Sequence, residues 1–377
     1  MTTPIYELGD LVTIRKGKKA VEVSEGPSEG FLRYIQIEDL RNNDSMKYAR
    51  NPKGPICDEN DVLIAWDGAK AGTIGFGLSG LVGSTIAILR PNESVYAPYL
   101  GMILQSKYQM IRDACTGATI PHVSKPFLLR MNIPLPSIPE QKRIAATLDK
   151  TNEIEQNAKN IEKMQAELIQ SVFLEMFLPI IENPESMEVV PLSELLLFLT
   201  SGSRGWAKYY SDKGSIFIRI QNVRNGKLIL DDVAYVNAPD SSESRRTRVQ
   251  SGDVLLSITA DLGRTAVVPP NLGDAHINQH LAILRPNRKR INPTFLAMYL
   301  ESQGGSRQLF KSNKGGTKAG LNFADIRSIR IPLPSIEEQE KFEAFVCNAR
   351  LIYDSVEKEV EAAKMLNQSS IQLLVTQ

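Results

Sequence analysis

Ile133-Pro134-Leu135-Pro136-Ser137-Ile138-Pro139-Glu140-Gln141 recurs further along the chain as Ile331-Pro332-Leu333-Pro334-Ser335-Ile336-Glu337-Glu338-Gln339. The prolines hold the chain extended and keep the residue before each of them out of helix. Ser137 then precedes Glu140 by three positions, and Ser335 precedes Glu338 likewise, which is the spacing of a helix capping box. No Gly or Pro follows Pro139 until Pro179, and none follows Pro334 to the C-terminus. Each segment therefore reads as the end of a globular stretch and the start of a long helix.

Working upstream, the repeat continues. Asp61-Val62-Leu63-Ile64 is echoed by Asp253-Val254-Leu255-Leu256, and Ala87-Ile88-Leu89-Arg90-Pro91-Asn92 by Ala282-Ile283-Leu284-Arg285-Pro286-Asn287. Tyr34-Ile35-Gln36-Ile37 and Ile218-Arg219-Ile220-Gln221 are each followed by an Arg-Asn pair, Arg41-Asn42 and Arg224-Asn225. The same order in both halves means duplication, and two long copies mean two complete domains and not a solenoid. The expected organisation is α+β: domains at 1–132 and 183–330, with linkers and long helices at 133–182 and 331–377.

Within the domains, short β-rich runs (Phe31–Ile37, Val62–Trp66, Ser84–Leu89, Ile216–Ile220, Val254–Ile258) alternate with Gly, Asn and Asp, and Ala97–Met110 and Pro293–Phe310 read as helical. The helices, at about 138–178 and 336–375, are rich in Ala, Glu, Lys, Gln and Leu. Ile154, Ala158, Ile161, Gln165, Leu168 and Val172 alternate steps of four and three, as do Phe342, Phe345, Ala349, Ile352 and Val356, continuing through Val360 and Ala363. Such a seam calls for a partner helix, so an antiparallel pair, each roughly 60 Å long, is expected.

A length of 377 residues, 42% hydrophobic and 23% charged, suits a soluble protein of two or three domains. No apolar run approaches the length of a membrane span, and the first residues lack the regions of a signal peptide. Cys57, Cys115 and Cys347 are scattered and odd in number, which argues against a disulfide framework and for a reducing cytoplasm. Residues 188–335 carry 20 basic and 12 acidic side chains, whereas 138–182 carry 5 and 8 and 336–377 carry 4 and 8. A basic domain beside acidic helices suits phosphate contact by the one and not the others, although a solvated face gives the same imbalance.

Catalytic patterns are missing. Gly75-Phe76-Gly77-Leu78-Ser79-Gly80 has dinucleotide-loop spacing, but Leu81-Val82-Gly83-Ser84-Thr85 after it reads as turn and strand, not as a helix facing pyrophosphate. His276 and His280 stand four apart without a following Glu or a third ligand, so no metal is expected. His122 lacks an identifiable Ser or Cys partner, Glu140-Gln141-Lys142 is better explained by capping, and no Asn-Pro-Pro-aromatic tetrapeptide occurs.

Matching basic clusters remain: Arg15, Lys16, Lys18, Lys19 and Lys70 (with Trp66) in the first domain, and Arg204, Lys208, Arg245, Arg246, Arg248 and Arg264 (with Trp206) in the second. Arg and Lys on loops neutralise phosphates or fork onto guanine, and aromatic neighbours can stack. Any one of them alone is ordinary surface charge. Together they favour DNA over the alternative of a two-headed adaptor for protein or glycan.

The duplicated Pro-Leu-Pro-Ser-Ile-x-Glu-Gln segment, each copy leading into a long helix, resembles the specificity subunit of type I restriction–modification systems. The Asp-Val-Leu-Ile/Leu run with glycines after it (Gly68, Gly72; Gly263) is also similar to that family, and the resemblance covers nearly the whole chain. It implies two target recognition domains, each reading half of a bipartite, asymmetric site in double-stranded DNA, with the helices setting the gap. It further implies that two methyltransferase subunits dock on the helices, where Ile154, Ile161, Leu168, Val172, Phe345, Ile352 and Val356 are the candidate packing and docking residues. Adenine methylation, and cleavage by added restriction/translocase subunits, then belong to partners, and S-adenosylmethionine, ATP and Mg2+ sit on them, leaving this chain non-catalytic and without a cofactor. The second helix departs from the first beyond its start, which puts equal docking surfaces in question.

Overall fold

The computed structural model describes residues 3–42, 46–51, 53–117, 119–183, 187–312 and 320–375. The chain divides into two compact units, Met1–Ala158 with Lys358–Gln377, and Lys159–Glu357. Both contain the same scaffold.

Its centre is a four-stranded antiparallel sheet. In the first unit the order is Val12–Lys16, Ile86–Pro91, Val62–Ala65, Ile74–Phe76; in the second it is Leu196–Ser201, Leu281–Pro286, Val254–Ser257, Thr265–Val267. The registers match, since Val62 lies opposite Leu89 and Phe76 while Val254 lies opposite Leu284 and Val267. The central strands Val62–Ala65 and Val254–Ser257 are buried throughout because both of their faces are covered. Alternate side chains point to opposite faces of a strand. Val62 and Ile64 thus join the core beneath the helix Ala97–Ser106, while Leu63 and Ala65 meet Ile35 and Val82 of a second sheet. Val254 and Leu256 face the helix Pro293–Glu301, and Leu255 faces Ile218 and Ile277.

The second sheets also correspond. Leu32–Ile35 runs parallel to Gly80–Val82, and Ser215–Ile218 runs parallel to Ala275–Ile277. Gly75–Gly80 spans the strand Ile74–Phe76, a turn and the start of Gly80–Val82, a strand–turn–strand path with no helix to receive pyrophosphate. The helical patches each break in two, Ala97–Ser106 with Tyr108–Asp113 and Pro293–Glu301 with Gln303–Ser312.

Each unit is closed by the Pro-Leu-Pro segment. Asn132–Pro134 pairs antiparallel with Ile5–Glu7, and Arg330–Pro332 with Val189–Pro191. The long helices follow at once, Ile138–Glu182 (45 residues) and Ile336–Val375 (40 residues). The first continues through Pro179, beyond the end expected at 178, where the Asn183 N–H still reaches the Pro179 carbonyl at 3.1 Å. Only the second helix forms its capping box: the Ser335 N–H and hydroxyl both donate to Glu338, at 2.9 and 2.7 Å. Glu140 turns instead to Arg143, which donates two hydrogen bonds at 2.9 and 2.6 Å. The second copy has Lys341 there, a point charge without the planar fork, so its glutamate stays at the cap.

In the second unit, Phe173 meets Phe342 at 5.3 Å between ring centroids and the Gln165 amide donates to the Ala349 carbonyl, so the two helices run antiparallel. Phe173, Phe177, Phe295 and Phe342 form one aromatic cluster that locks both helices to the sheet's helix-covered face. In the first unit Glu155 pairs with Lys364 at 3.9 Å, and Ile144 and Ala145 pack into the domain core.

The expected seam needs correction. Ile154, Ile161, Leu168 and Ile352 are exposed, Val356 is half-buried, and Val172 and Phe345 only flank the core. Of the expected seam Ala158, Phe342 and Val360 are buried, and the buried line is completed by Ile169, Phe173 and Phe177 on one helix and Val346 and Tyr353 on the other. Steps of four and three fit two neighbouring stripes of one helix, and the stripe carrying the phenylalanines buries more apolar area. The first helix also contains an 18-residue window, of mean hydropathy 1.3, that could cross a membrane by length and composition. Ile169, Phe173 and Phe177 on this helix are core residues of the second unit.

The repeated Glu-Gln dipeptide has a structural role. Gln141 and Gln339 are wholly buried. Gln141 accepts from the Tyr96 N–H at 2.8 Å and donates to the carbonyls of Ser94 and Pro136 at 3.0 and 2.8 Å. Gln339 accepts from the Asn292 N–H at 2.8 Å and donates to the Pro334 carbonyl at 2.9 Å. Both stitch the start of a long helix to the loop before the domain's packing helix. Gln339→Leu, close in volume, leaves those backbone groups buried and unpaired, and should cost about 1–3 kcal/mol. Urea unfolding followed through the second unit checks this; an unchanged midpoint would show that water replaces the amide.

Candidate nucleic-acid interface

The strands of each four-stranded sheet leave into loops that converge at one place. In the first unit the Trp66 N–H donates to the Thr85 carbonyl at 2.7 Å, the Val123 N–H to Trp66 at 2.9 Å, and the Lys18 N–H to Val82 at 3.0 Å. In the second, the Ile258 N–H donates to His280 at 2.9 Å and the Leu321 N–H to Ile258 at 2.9 Å. Asp67 bridges to His122 as Thr259 bridges to Gly320. Trp66 thus corresponds to Ile258, Asp67 to Thr259, Thr85 to His280 and His122 to Gly320. The scaffold is shared and the side chains it displays are not.

At that place in the first unit, Asp67 accepts from Lys16 and is bonded to Nδ1 of His122, each at 2.6 Å. Burial opposes ionisation of Asp67, but the hydrogen bonds and charges of Lys16 and His122 outweigh it and hold the carboxyl below its ordinary value. The loop bearing His122 is clasped at its base by Thr116 and His122, whose backbone groups exchange hydrogen bonds of 2.9 and 2.7 Å. In the second unit Thr259 is bonded to Nδ1 of His280, and Gln279 lies 3.0 Å from its Nε2.

The predicted cations divide into tied and untied. Lys16 is held by Asp67, Lys70 by Glu38 at 3.6 Å, and Arg248 by Asp274 at 2.6 Å. Arg245 is paired with Asp240 and Arg264 with Asp261, while Arg246 donates to Thr200 and, at 2.6 Å, to the Ser201 carbonyl. Arg15, Lys18, Lys19, Arg204 and Lys208 are exposed and outside any ion pair among the described residues, with Lys208 5.0 Å above the Tyr209 ring. Arg15 and Lys16 lie on a sheet strand, and Arg245 and Arg246 on a short helix, Ser242–Thr247, and not on loops. Trp206 is buried against Phe217 and His276, and Trp66 flanks the core of its domain, so neither is a free stacking platform.

His276 is also buried, on a strand. Burial lowers its pKa, against the raising influence of Asp274. Among the described residues no group of three or more His, Cys, Asp or Glu is placed to hold a metal. The second unit has a groove of about 850 Å3, with Phe173 and Lys163 on one side and Arg224, Glu301 and Arg350 on the other. Burial raises the pKa of Glu301, although it accepts from the Thr265 N–H at 2.6 Å. None of the predicted DNA contacts lines this groove.

Sequence reasoning overlooked Asp67 with His122 and Gln279 with His280. The one signal available was that two of the chain's three histidines fall beside turns.

Comparison with known proteins resolves what such a duplicated scaffold is. The type I restriction modification DNA specificity domain matches twice, at residues 3–163 and 184–346. The chain belongs to this family. It is similar to the MjaVIII type I restriction enzyme specificity subunit of Methanocaldococcus jannaschii, 27% identical over 99% of this chain and 92% of that one. It is also similar to the EcoBI specificity subunit of Escherichia coli, 23% identical over 87% of this chain and 75% of that one. Its fold is shared with the crystallised type I restriction–modification S subunit of M. genitalium, with a TM-score of 0.61 and 17% identity over 99% of both chains. The specificity subunit is the non-catalytic, DNA-recognition component of such a system.

A carboxyl depressed in the folded state adds stability that is complete above its unfolded pKa, near 4, and lost as the pH falls through the folded value. Replacing Lys16 with Met should therefore move the Asp67 titration upward, toward the ordinary carboxylate range. Carbon-13 NMR of the side-chain carboxyl reads this. An unmoved titration would remove Lys16 as the group holding Asp67.

Proposed function

We propose that this specificity subunit reads a bipartite, asymmetric sequence in double-stranded DNA, one half-site per domain, and that the long helices set the gap and dock two methyltransferase subunits. The observation carrying this is that one scaffold is built twice with different side chains at its loop cluster: Lys16, Asp67 and His122 in one domain, Thr259, Gln279 and His280 in the other. Two readers with equal frames and unequal surfaces suit two unequal half-sites. The untied cations Arg15, Lys18, Lys19, Arg204 and Lys208 supply phosphate contact, which positions the protein on the duplex while base edges carry the sequence. A helical pair converts two modest half-site affinities into one site, because the second contact becomes intramolecular. Ile161, Leu168 and Ile352, exposed on the helices of the second unit, offer apolar surface to a methyltransferase, as Ile154 does in the first.

In this reading the methyltransferase subunits bind S-adenosylmethionine and methylate adenine. Restriction/translocase subunits bring ATP and Mg2+ and cleave unmethylated DNA, and this chain itself holds no cofactor. The assembly works in the cytoplasm.

Base-resolved methylation of DNA from cells expressing the chain with the methyltransferase encoded beside it is the test, the methyltransferase alone being the control. A two-part methyl-adenine motif with a fixed unspecified gap is expected only with both. Its absence, with a soluble complex and an active methyltransferase, would turn the reading toward an adaptor for protein or glycan. Inserting helical residues in both long helices should lengthen the gap and leave the half-sites alone; altered half-sites at an unchanged gap would refute the ruler.

Binding should fall steeply with salt. Removing Lys18 and Lys19 together should lower the slope of log K against log salt by about 2, since each phosphate contact contributes roughly 0.9. Equal slopes for the two proteins would place these lysines away from the DNA.

A further inference from the structure

Two of the chain's three histidines stand at positions that do not correspond, yet each is aimed by the same scaffold residue of its domain. Asp67 and Thr259 stand just beyond the ends of matching central strands, and each is hydrogen-bonded to a histidine Nδ1. The histidines reach that place from different loops. His122 comes from the loop clasped by Thr116, and His280 from the turn that corresponds to Thr85. An ionised Asp67 can only accept, so Nδ1 of His122 carries the proton and Nε2 is left without a partner among the described residues. The His122 side chain is half exposed. In the second domain the imidazole is itself engaged, with Thr259 on Nδ1 and the Gln279 amide on Nε2. The carboxamide of Gln279 is then the group presented.

We infer that His122 in the first domain and Gln279, backed by His280, in the second are base-reading residues, each for its own half-site, with Asp67 and Thr259 as their positioning residues. This rests on the reading of the two domains as DNA readers. An imidazole with one nitrogen fixed by a carboxylate presents a single, directional hydrogen-bonding atom to a base edge. A carboxamide presents a donor and an acceptor together, the pattern that pairs with adenine N6 and N7 in the major groove. Lys16, neutralised by Asp67, serves this arrangement and not the phosphates.

The test is the methylation motif left by the whole complex, carrying wild-type chain, His122→Ala, His122→Gln, Gln279→Ala, Asp67→Asn or Thr259→Val. His122→Ala should relax one base pair of one half-site, so that sites differing there are methylated within about tenfold of the cognate rate, the order of discrimination one good side-chain contact gives. Gln279→Ala should relax one base pair of the other half-site. Asp67→Asn and Thr259→Val should relax the same pairs as their neighbours, a readout that loss of stability alone does not produce. His122→Gln keeps a polar side chain in the loop and covers the case in which the alanine variant fails to fold. It should shift or relax that same pair. Methylation that falls uniformly at an unchanged motif would mark a structural or phosphate-holding role and overturn the assignment, as would variants that read the wild-type motif unaltered. A wild-type complex that leaves no two-part motif would instead remove the DNA reading itself.

Discussion

Gln141 and Gln339 each sit without solvent contact between the end of a domain and the first turn of a long helix, and much else follows from that. A buried amide is tolerable only when its hydrogen bonds are made. Here they can be made only if the Pro-Leu-Pro strand has paired with the domain's first strand and the packing helix lies where its preceding loop is within reach. The glutamine therefore checks domain closure before the helix leaves. This accounts for a motif repeated almost unchanged in both halves that contains no chemistry.

The other repeated motifs have the same kind of cause. Asp61 and Asp253 are almost fully buried, and each is gripped in two hydrogen bonds by the arginine of the neighbouring strand, Arg90 at 2.7 and 2.6 Å and Arg285 at 2.7 and 2.8 Å. A carboxylate removed from water needs such a partner, because without it the desolvation is uncompensated. The Asp-Val-Leu and Leu-Arg-Pro-Asn runs are thus one interaction seen twice. With the frame fixed in this way, loops at the strand ends can differ between the halves without disturbing the cores. The aromatic cluster of Phe173, Phe177, Phe295 and Phe342 does the corresponding work for the helices in the second unit.

Much of the candidate site was hidden from the sequence for a definite reason. Charge is visible residue by residue, but neutralisation is not. Lys16 is paired with a carboxylate some fifty positions away, Arg248 with Asp274, and Arg246 with groups at 200 and 201. Counting basic residues overstated what is free to meet phosphate: of the predicted contacts, Arg15, Lys18, Lys19, Arg204 and Lys208 stay outside ion pairs among the described residues. The helix seam failed in a related way. Spacing gives the stripe only to within one neighbouring face, and the larger burial of Phe173 and Phe177 moved it away from Ile154, Ile161 and Leu168.

The sequence by itself determined the duplication, the α+β class and the two long helices. These depend on local rules: proline geometry, helix propensity, and the alternation that makes Val62–Ala65 and Val254–Ser257 buried strands. Only the tertiary structure decided which cations are spare, which helix face is covered, and that His122 and His280, from unrelated loops, bond to the corresponding residues Asp67 and Thr259. Those outcomes depend on contacts between residues far apart in the chain. Such contacts carry no periodicity of their own, because each is set by where the sheet register delivers its strand ends.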